Sequence, residues 1–148
     1  MKIAVSACLL GQNCKYNGGN NYSPAIIDAV EGHTVLPVCP EVLAGVGIPR
    51  KCVELHYGRA VNSDGEDVDA KYRGGAECAL KQLLEFDAEC AILKSRSPTC
   101  GVRQIYDGTF SGKLIEGSGI FAQMAMEAGI RVIDSDDLIR GGDLDEHV

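Results

Sequence analysis

Three cysteines of the chain each follow a short segment that is typical of a β-strand. Cys8 follows KIAVSA, Cys39 follows HTVLPV, and Cys100 lies seven residues after the apolar run that ends at Leu93. Because ligands of parallel sheets bind beyond the carboxyl ends of the strands, we expect the three thiols to converge at one edge. Three converging thiols can hold a metal, although small buried residues would follow the same pattern.

The composition of this thiol set favours a soft metal site over a zinc site. The chain has seven cysteines but no C-x₂-C pair, and its three histidines are scattered singly. Cysteine ligands without histidine favour an iron–sulfur cluster. Four cysteines normally complete a [4Fe–4S] cluster, so three ligands would leave one iron with an open coordination position. Such an iron can act as a Lewis acid on a substrate's soft atom.

The other cysteines differ in what they suggest. Cys14 lies six residues after Cys8 in a glycine-rich loop, and it competes with Cys8 for the ligand role. Cys78 falls in a predicted amphipathic helix and Cys90 in a predicted strand. We therefore interpret both as chemically inert, small apolar residues. The position of Cys52 supports no interpretation.

Polar residues beside these cysteines could do chemistry. Glu41, two residues after Cys39, is a candidate general acid or base, or simply an acid that complements a helix start. Ser95 and Ser97 are candidates to orient a polar substrate, or to form turn and cap hydrogen bonds. Lys94 is a candidate to stabilise negative charge, or a solvated residue at a strand end.

The periodicity of the chain predicts strands that alternate with helices. We expect main strands at 2–7, 33–38, 90–93 and 130–134, and helices at 24–31, 76–86, 117–129 and 135–140, with a helical turn at 41–44. Two short hairpins are expected at 58–70, turning at Asp64–Gly65, and at 107–114, and a frayed tail at 141–148. The predicted fold is α/β: a small Rossmann-like parallel sheet of about four main strands, with helices on both faces.

Length and charge narrow the class of protein. The 148 residues suit a single domain, 1–148. The net charge of −7 and the absence of a basic run argue against extended nucleic-acid binding. No apolar run approaches the roughly 20 residues that span a membrane, and the first residues lack the features of a signal peptide, so we expect a cytoplasmic protein.

Three segments, SACLLGQNCKYNG, VCPE and KSRSPTCG, resemble the motifs of the thiouracil desulfidase family, and the resemblance spans about residues 1–140. It implies a compact α/β fold that carries an oxygen-sensitive [4Fe–4S] cluster bound by three cysteines. The implied reaction replaces the sulfur of a thiolated uracil with oxygen and releases sulfide. The implied partner is therefore a small thiolated pyrimidine.

The resemblance also implies residue roles. The cluster ligands would be Cys8, Cys39 and Cys100, the acid/base carboxylate Glu41 and the active-site serine Ser97. The first motif contains a second cysteine, and Cys8 is preferred because it lies closer to the strand end. The segment GIPRKCVELHYG departs from the proline-rich run of relatives, which affects one wall of the pocket.

The resulting hypothesis is a non-redox desulfuration. The open iron would bind the substrate sulfur, water activated by Glu41 would attack the ring carbon, and Ser97 would hold the ring or the developing anion. Ser95 and Lys94 would contact the substrate. The alternatives are a persulfide sulfurtransferase acting through Cys14 or Cys100, and a non-catalytic metal-binding or sensing domain. The sequence does not decide between 2- and 4-thiouracil, between free base and nucleotide, or the oligomeric state.

Overall fold

The computed structural model describes residues 1–144. Its strands are β1 Lys2–Ser6, β2 Thr34–Val38, β3 Val53–His56, β4 Arg59–Asn62, β5 Cys90–Leu93, β6 Gln104–Tyr106, β7 Leu114–Glu116 and β8 Arg131–Asp134. Its helices are α1 Pro24–Val30, α2 Pro40–Leu43, α3 Asp69–Phe86, α4 Ile120–Glu127 and α5 Ser135–Ile139, and a 3₁₀ turn covers Ala7–Leu10.

The main sheet is parallel throughout and has the strand order β2-β1-β5-β8. β1 lies in the middle, so Ile3 pairs with Val35 on one side and with Cys90 on the other. The residues that follow β1, β2 and β5 therefore leave the sheet side by side at its carboxyl edge. The predicted α/β fold with a four-stranded parallel sheet is confirmed.

Each face of the sheet packs against its own pair of helices. Alternate residues of β1 point to opposite faces, as expected for a strand. Ala4 packs in a core with residues of α3 and α4, whereas Ile3 and Val5 pack in a second core with residues of α1 and α5. The second core also includes Cys90, in agreement with its interpretation as a small apolar residue, whereas Cys78 is exposed on α3.

Two boundaries differ from the sequence prediction. α3 begins at Asp69 rather than at residue 76, because Gly74 and Gly75, which look like a helix break, lie inside the helix. The first hairpin is formed by β3 and β4 and turns at Tyr57–Gly58, both with positive φ. A tyrosine is an unusual residue for the first position of such a turn, which hid the turn from sequence reasoning.

The predicted Asp64–Gly65 turn forms as a second tight turn, closed by a single bridge between Val61 and Asp67. The second hairpin forms, but it extends beyond the predicted range 107–114, because its strands are β6 and β7 and residues 107–113 are the loop between them. The tail was expected to fray from Gly141, but Leu144 is only 5% exposed and packs in the second core. Residues 145–148 of that tail lie outside the described residues.

Candidate active site

A cavity of about 500 Å³ opens at the carboxyl edge of the main sheet. It brings together the side chains that the sequence singled out, and its lining includes Cys8, Cys39, Glu41, Lys94, Ser95, Ser97 and Cys100. Cys14 and Cys52 line the same cavity. The convergence follows from the sheet: Cys8 lies in the 3₁₀ turn after β1, Cys39 directly precedes α2, and the loop after β5 delivers Cys100.

The Cys14 thiol lies between two of the candidate ligands. Its hydrogen bond lowers the pKa of Cys8 to about 6 and that of Cys39 to about 7, although burial opposes both shifts. The same hydrogen bonds raise the pKa of Cys14, the one with Cys39 most. Within this trio the pKa is lowered for Cys8 and Cys39 and raised for Cys14.

Cys100 is more deeply buried than Cys8 and Cys39. Burial raises the pKa of Cys100 to about 12, while hydrogen bonds from the Ser6 and Thr99 hydroxyls oppose the shift. The Thr99 Oγ1 donates to the Cys100 Sγ at 3.7 Å. A bound metal would keep this sulfur as a thiolate, because coordination deprotonates a thiol outright.

Glu41 lies in the first turn of α2 and forms an ion pair with Arg50. The Arg50 Nη2 donates to the Glu41 Oε2 at 2.9 Å. Burial raises the pKa of Glu41, and Arg50 opposes that shift. Sequence reasoning missed Arg50, although the segment around it had been marked as one wall of the pocket.

Ser97 shapes the turn that presents Cys100. Its Oγ accepts hydrogen bonds from the backbone N–H groups of Thr99, at 3.1 Å, and of Cys100, at 3.0 Å. It also shares a 3.1 Å hydrogen bond with the Thr99 Oγ1. The serine hydroxyl is thus held at a fixed place beside the candidate ligand.

Ser95 and Lys94 line the cavity but have partners within the protein. The Ser95 Oγ donates to the Asp136 Oδ1 at 3.1 Å, and the Ser95 N–H donates to the Ser135 Oγ. The Lys94 Nζ donates to the Ser95 carbonyl oxygen and Oγ, both at 3.2 Å. Burial lowers the pKa of Lys94. Ser95 therefore ties the loop to α5, and Lys94 places a partly desolvated ammonium inside the cavity.

The cavity lining is basic in an acidic chain. Five cationic side chains line it, namely Lys15, Arg50, Lys51, Lys94 and Arg96, against two carboxylates, Glu41 and Glu54. The whole chain, in contrast, carries a net charge of −7. Three of these cations form ion pairs, Arg50 with Glu41, Lys51 with Asp64 and Glu66, and Arg96 with Asp136. The Lys94 ammonium in the cavity can stabilise negative charge that develops during a reaction.

The donor set of the cavity fits an iron–sulfur cluster. Its lining contains cysteines and no histidine, which is the ligand chemistry of such clusters. Within residues 1–144, no group of three or more His, Cys, Asp or Glu side chains has the spacing that holds a single metal ion. A cluster distributes its ligands over several iron atoms, so its thiols need not converge on one point as the ligands of a single ion do.

A sequence profile for 2-thiouracil desulfurase matches residues 3–137. The chain belongs to the 2-thiouracil desulfurase family. The match covers the whole lining of the cavity and all of the main sheet except Lys2, the first residue of β1. The resemblance that the three sequence motifs indicated is confirmed.

Two similar proteins span nearly the same length as this member of the 2-thiouracil desulfurase family. The uncharacterized protein YbbK of Bacillus subtilis (strain 168) is 40% identical over 146 residues, covering 92% of this chain and 97% of its own. The solved structure of the [4Fe-4S]-dependent thiouracil desulfidase TudS superimposes with a TM-score of 0.87 at 38% identity, covering 99% of this chain and 94% of its own. None of the helices within residues 1–144 is long and apolar enough to cross a membrane.

Proposed function

We propose that this protein is a [4Fe–4S]-dependent desulfidase that converts a thiolated uracil and water into uracil and sulfide. The observation that carries the proposal is the convergence of Cys8, Cys39, Cys100 and Glu41 on one cavity, in a member of the 2-thiouracil desulfurase family. The similarity to TudS, a [4Fe-4S]-dependent thiouracil desulfidase, supports the cofactor and the reaction class. As a C–S bond cleavage by water, the reaction is of the hydrolase type.

In this proposal Cys8, Cys39 and Cys100 hold the cluster. When bound, the cluster supplies an iron with an open coordination position, a Lewis acid suited to the substrate's sulfur. Cys8 is preferred over Cys14 because the Cys14 thiol hydrogen-bonds to both Cys8 and Cys39, and those bonds lower the pKa of Cys8 and of Cys39. Cys14 then serves as a hydrogen-bond donor to two ligands, a contact of the kind that tunes metal sites.

Glu41 is proposed as the general base. Arg50 binds its Oε2, which leaves the Oε1 free to accept a proton from the attacking water. Proton transfer by a side chain held in this way typically accelerates a reaction by about 10²–10⁴-fold. The water oxygen then forms a bond to the ring carbon while the bond from that carbon to sulfur breaks, so no net oxidation takes place.

Ser97 and Lys94 are proposed to act on the substrate. The Ser97 Oγ already accepts two backbone N–H groups, so its remaining capacity is one O–H donor, which can turn from the Thr99 Oγ1 to a substrate atom. The Lys94 ammonium is partly desolvated and stabilises negative charge more strongly than an exposed lysine would. Ser95 is proposed to position the loop instead, because its hydroxyl donates to Asp136.

The experiment is a turnover assay on protein purified without oxygen. Iron and acid-labile sulfide are measured first, and the protein is then offered 2-thiouracil, 4-thiouracil, their nucleosides and their 5′-monophosphates. Release of sulfide with formation of the matching uracil supports the proposal. Protein that contains iron and acid-labile sulfide but converts none of these thiolated compounds would contradict the proposal.

The same assay separates the alternatives. A colourless protein that transfers sulfur to a thiol acceptor would be a persulfide sulfurtransferase, and a cluster protein without turnover would be a metal-binding or sensing domain. The location in the cytoplasm stays a prediction.

A further inference from the structure

Arg50 is a buried cation that joins three segments around the cavity. Its side chain is 4% exposed. The Nη2 donates to the Glu41 Oε2 at 2.9 Å and to the Cys14 carbonyl oxygen at 2.8 Å, and the Nη1 donates to the Gly47 carbonyl oxygen at 3.3 Å. The hydroxyl of the buried Tyr72 is a further partner.

These contacts exploit the shape of a guanidinium. Arginine presents five N–H donors in a rigid planar fork, whereas lysine is a single ammonium on a flexible stem. One end of the fork reaches a carboxylate and a carbonyl at once, so Glu41 and the backbone at Cys14 are held at a fixed separation. A lysine at this position would not bridge both partners with the same geometry.

The two partners of Arg50 belong to different parts of the site. Glu41 lies on α2, whereas Cys14 lies on the long loop 11–23. The Cys14 thiol contacts Cys8 and Cys39. Backbone hydrogen bonds also hold the loop, from the Asn21 N–H to the Cys8 carbonyl oxygen at 2.9 Å and from the Arg50 N–H to the Tyr16 carbonyl oxygen at 2.7 Å. The guanidinium of Arg50 differs from these contacts because it joins the Cys14 backbone directly to the Glu41 carboxylate. The side chain of Arg50 therefore sets where the carboxylate lies relative to the thiols.

We propose that Arg50 is a positioning residue for the desulfuration: it fixes the Glu41 carboxylate and the Cys14 loop relative to each other. This inference rests on the proposed function for its catalytic part, since the carboxylate must be aligned with a substrate that the thiol-lined cavity holds. Its structural part, the restraint on loop 11–23, stands on the contacts of Arg50 alone.

The test compares Arg50→Met, Arg50→Lys and Arg50→Ala with the wild type, all purified without oxygen. Arg59→Met is the matched control, because Arg59 also pairs with a carboxylate, Asp67 at 2.9 Å, but on the β3–β4 hairpin and outside the lining of the cavity. Iron content, kcat and KM are measured for each. We expect Arg50→Met to keep its iron and to lose about 100-fold in kcat with little change in KM, because misplacing a catalytic group by about 1 Å has this effect.

Two further measurements separate positioning from a general loss of structure. Millimolar guanidinium chloride should restore part of the kcat of Arg50→Ala, whereas sodium chloride at the same ionic strength should not. Hydrogen exchange in the peptide covering 11–23 should become faster in Arg50→Met and stay unchanged in Arg59→Met. Arg50→Lys should fall between the wild type and Arg50→Met in kcat.

An Arg50→Met variant with wild-type kcat would overturn the inference. So would a loss of kcat that accompanies a loss of iron in the Arg50 variants and that guanidinium does not restore in Arg50→Ala. Unchanged exchange in loop 11–23 overturns its structural part. A wild type that releases no sulfide from any thiolated pyrimidine overturns the proposed function and the catalytic part, and the exchange measurement still decides whether Arg50 restrains the loop.

Discussion

A Cβ atom on Gly75 would lie 2.2 Å from the carbonyl oxygen of Pro40. α3 thus packs against the first turn of α2 without a side chain between them, and that turn carries Glu41 directly after Cys39. The same Cβ would lie 2.7 Å from the Ala44 backbone nitrogen. The place of Glu41 therefore depends on the absence of a side chain at residue 75.

We expect Gly75→Ala to destabilise the protein by about 1–3 kcal/mol, since it overpacks a contact between two backbones. It should also lower iron content, because α2 must move away from α3 and takes Cys39 with it. Urea unfolding and iron analysis measure the two effects.

The neighbouring residue is the control. Gly74 is exposed on the same helix, and a Cβ there would meet nothing within 4 Å. Gly74→Ala should stabilise the protein by about 0.5–1 kcal/mol, the usual effect of replacing glycine inside a helix. Equal effects of the two substitutions would show that the α2–α3 contact is not as tight as described.

The second prediction concerns Glu41. Glu41→Gln keeps the size of the side chain and one oxygen for Arg50, but it removes the proton acceptor. We expect the visible absorption of the cluster to stay and kcat to fall by about 10²-fold or more. Steady-state kinetics on the preferred substrate measures the loss, and a variant that keeps wild-type kcat would exclude Glu41 as the base.

The third prediction assigns the cluster ligands. Serine substitutions of Cys8, Cys39 and Cys100 should each lower iron content strongly, since each removes a thiolate ligand. Cys78→Ser should retain it, because Cys78 is exposed on α3 and outside the lining of the cavity.

Cys14→Ser distinguishes the two cysteines of the first motif. It should keep most of its iron, because a serine hydroxyl can still donate to the Cys8 and Cys39 sulfurs. A colourless Cys14→Ser with a coloured Cys8→Ser would reverse the assignment.

The fourth prediction concerns Ser95 and Asp136. If the Ser95 hydroxyl serves the loop rather than the substrate, Ser95→Ala and Asp136→Asn should each reduce the free energy of unfolding by about 1 kcal/mol. The double variant should lose less than the sum, as residues in direct contact do. Additive losses together with a raised KM in Ser95→Ala would instead assign Ser95 to substrate binding.

The sequence predicted the parallel sheet and the place of its thiols because both depend on local patterns. Short apolar strands that end in small residues or cysteine mark the carboxyl edge, and parallel pairing brings such ends together. Cys8, Cys39 and Cys100 could be placed at that edge because each of them follows the end of a predicted strand.

What sequence reasoning missed depends on contacts between distant segments. The start of α3 was predicted too late because the adjacent Gly74 and Gly75 look like a helix break. The close contact with α2 is what requires a glycine at residue 75. The role of Arg50 could not be predicted because its partners, Glu41 and the Cys14 carbonyl oxygen, lie 9 and 36 residues away in the sequence. The bond between Ser95 and Asp136 was not predicted either, because it joins residues 41 positions apart.

The most direct test of the account is one turnover experiment in ¹⁸O-labelled water, with anaerobically loaded protein and no added thiol or reductant. If the cavity performs a non-redox replacement of sulfur by water, each uracil formed carries one ¹⁸O atom and one sulfide is released with it. Sulfide release that requires an added thiol or reductant, or uracil without the label, would contradict the account.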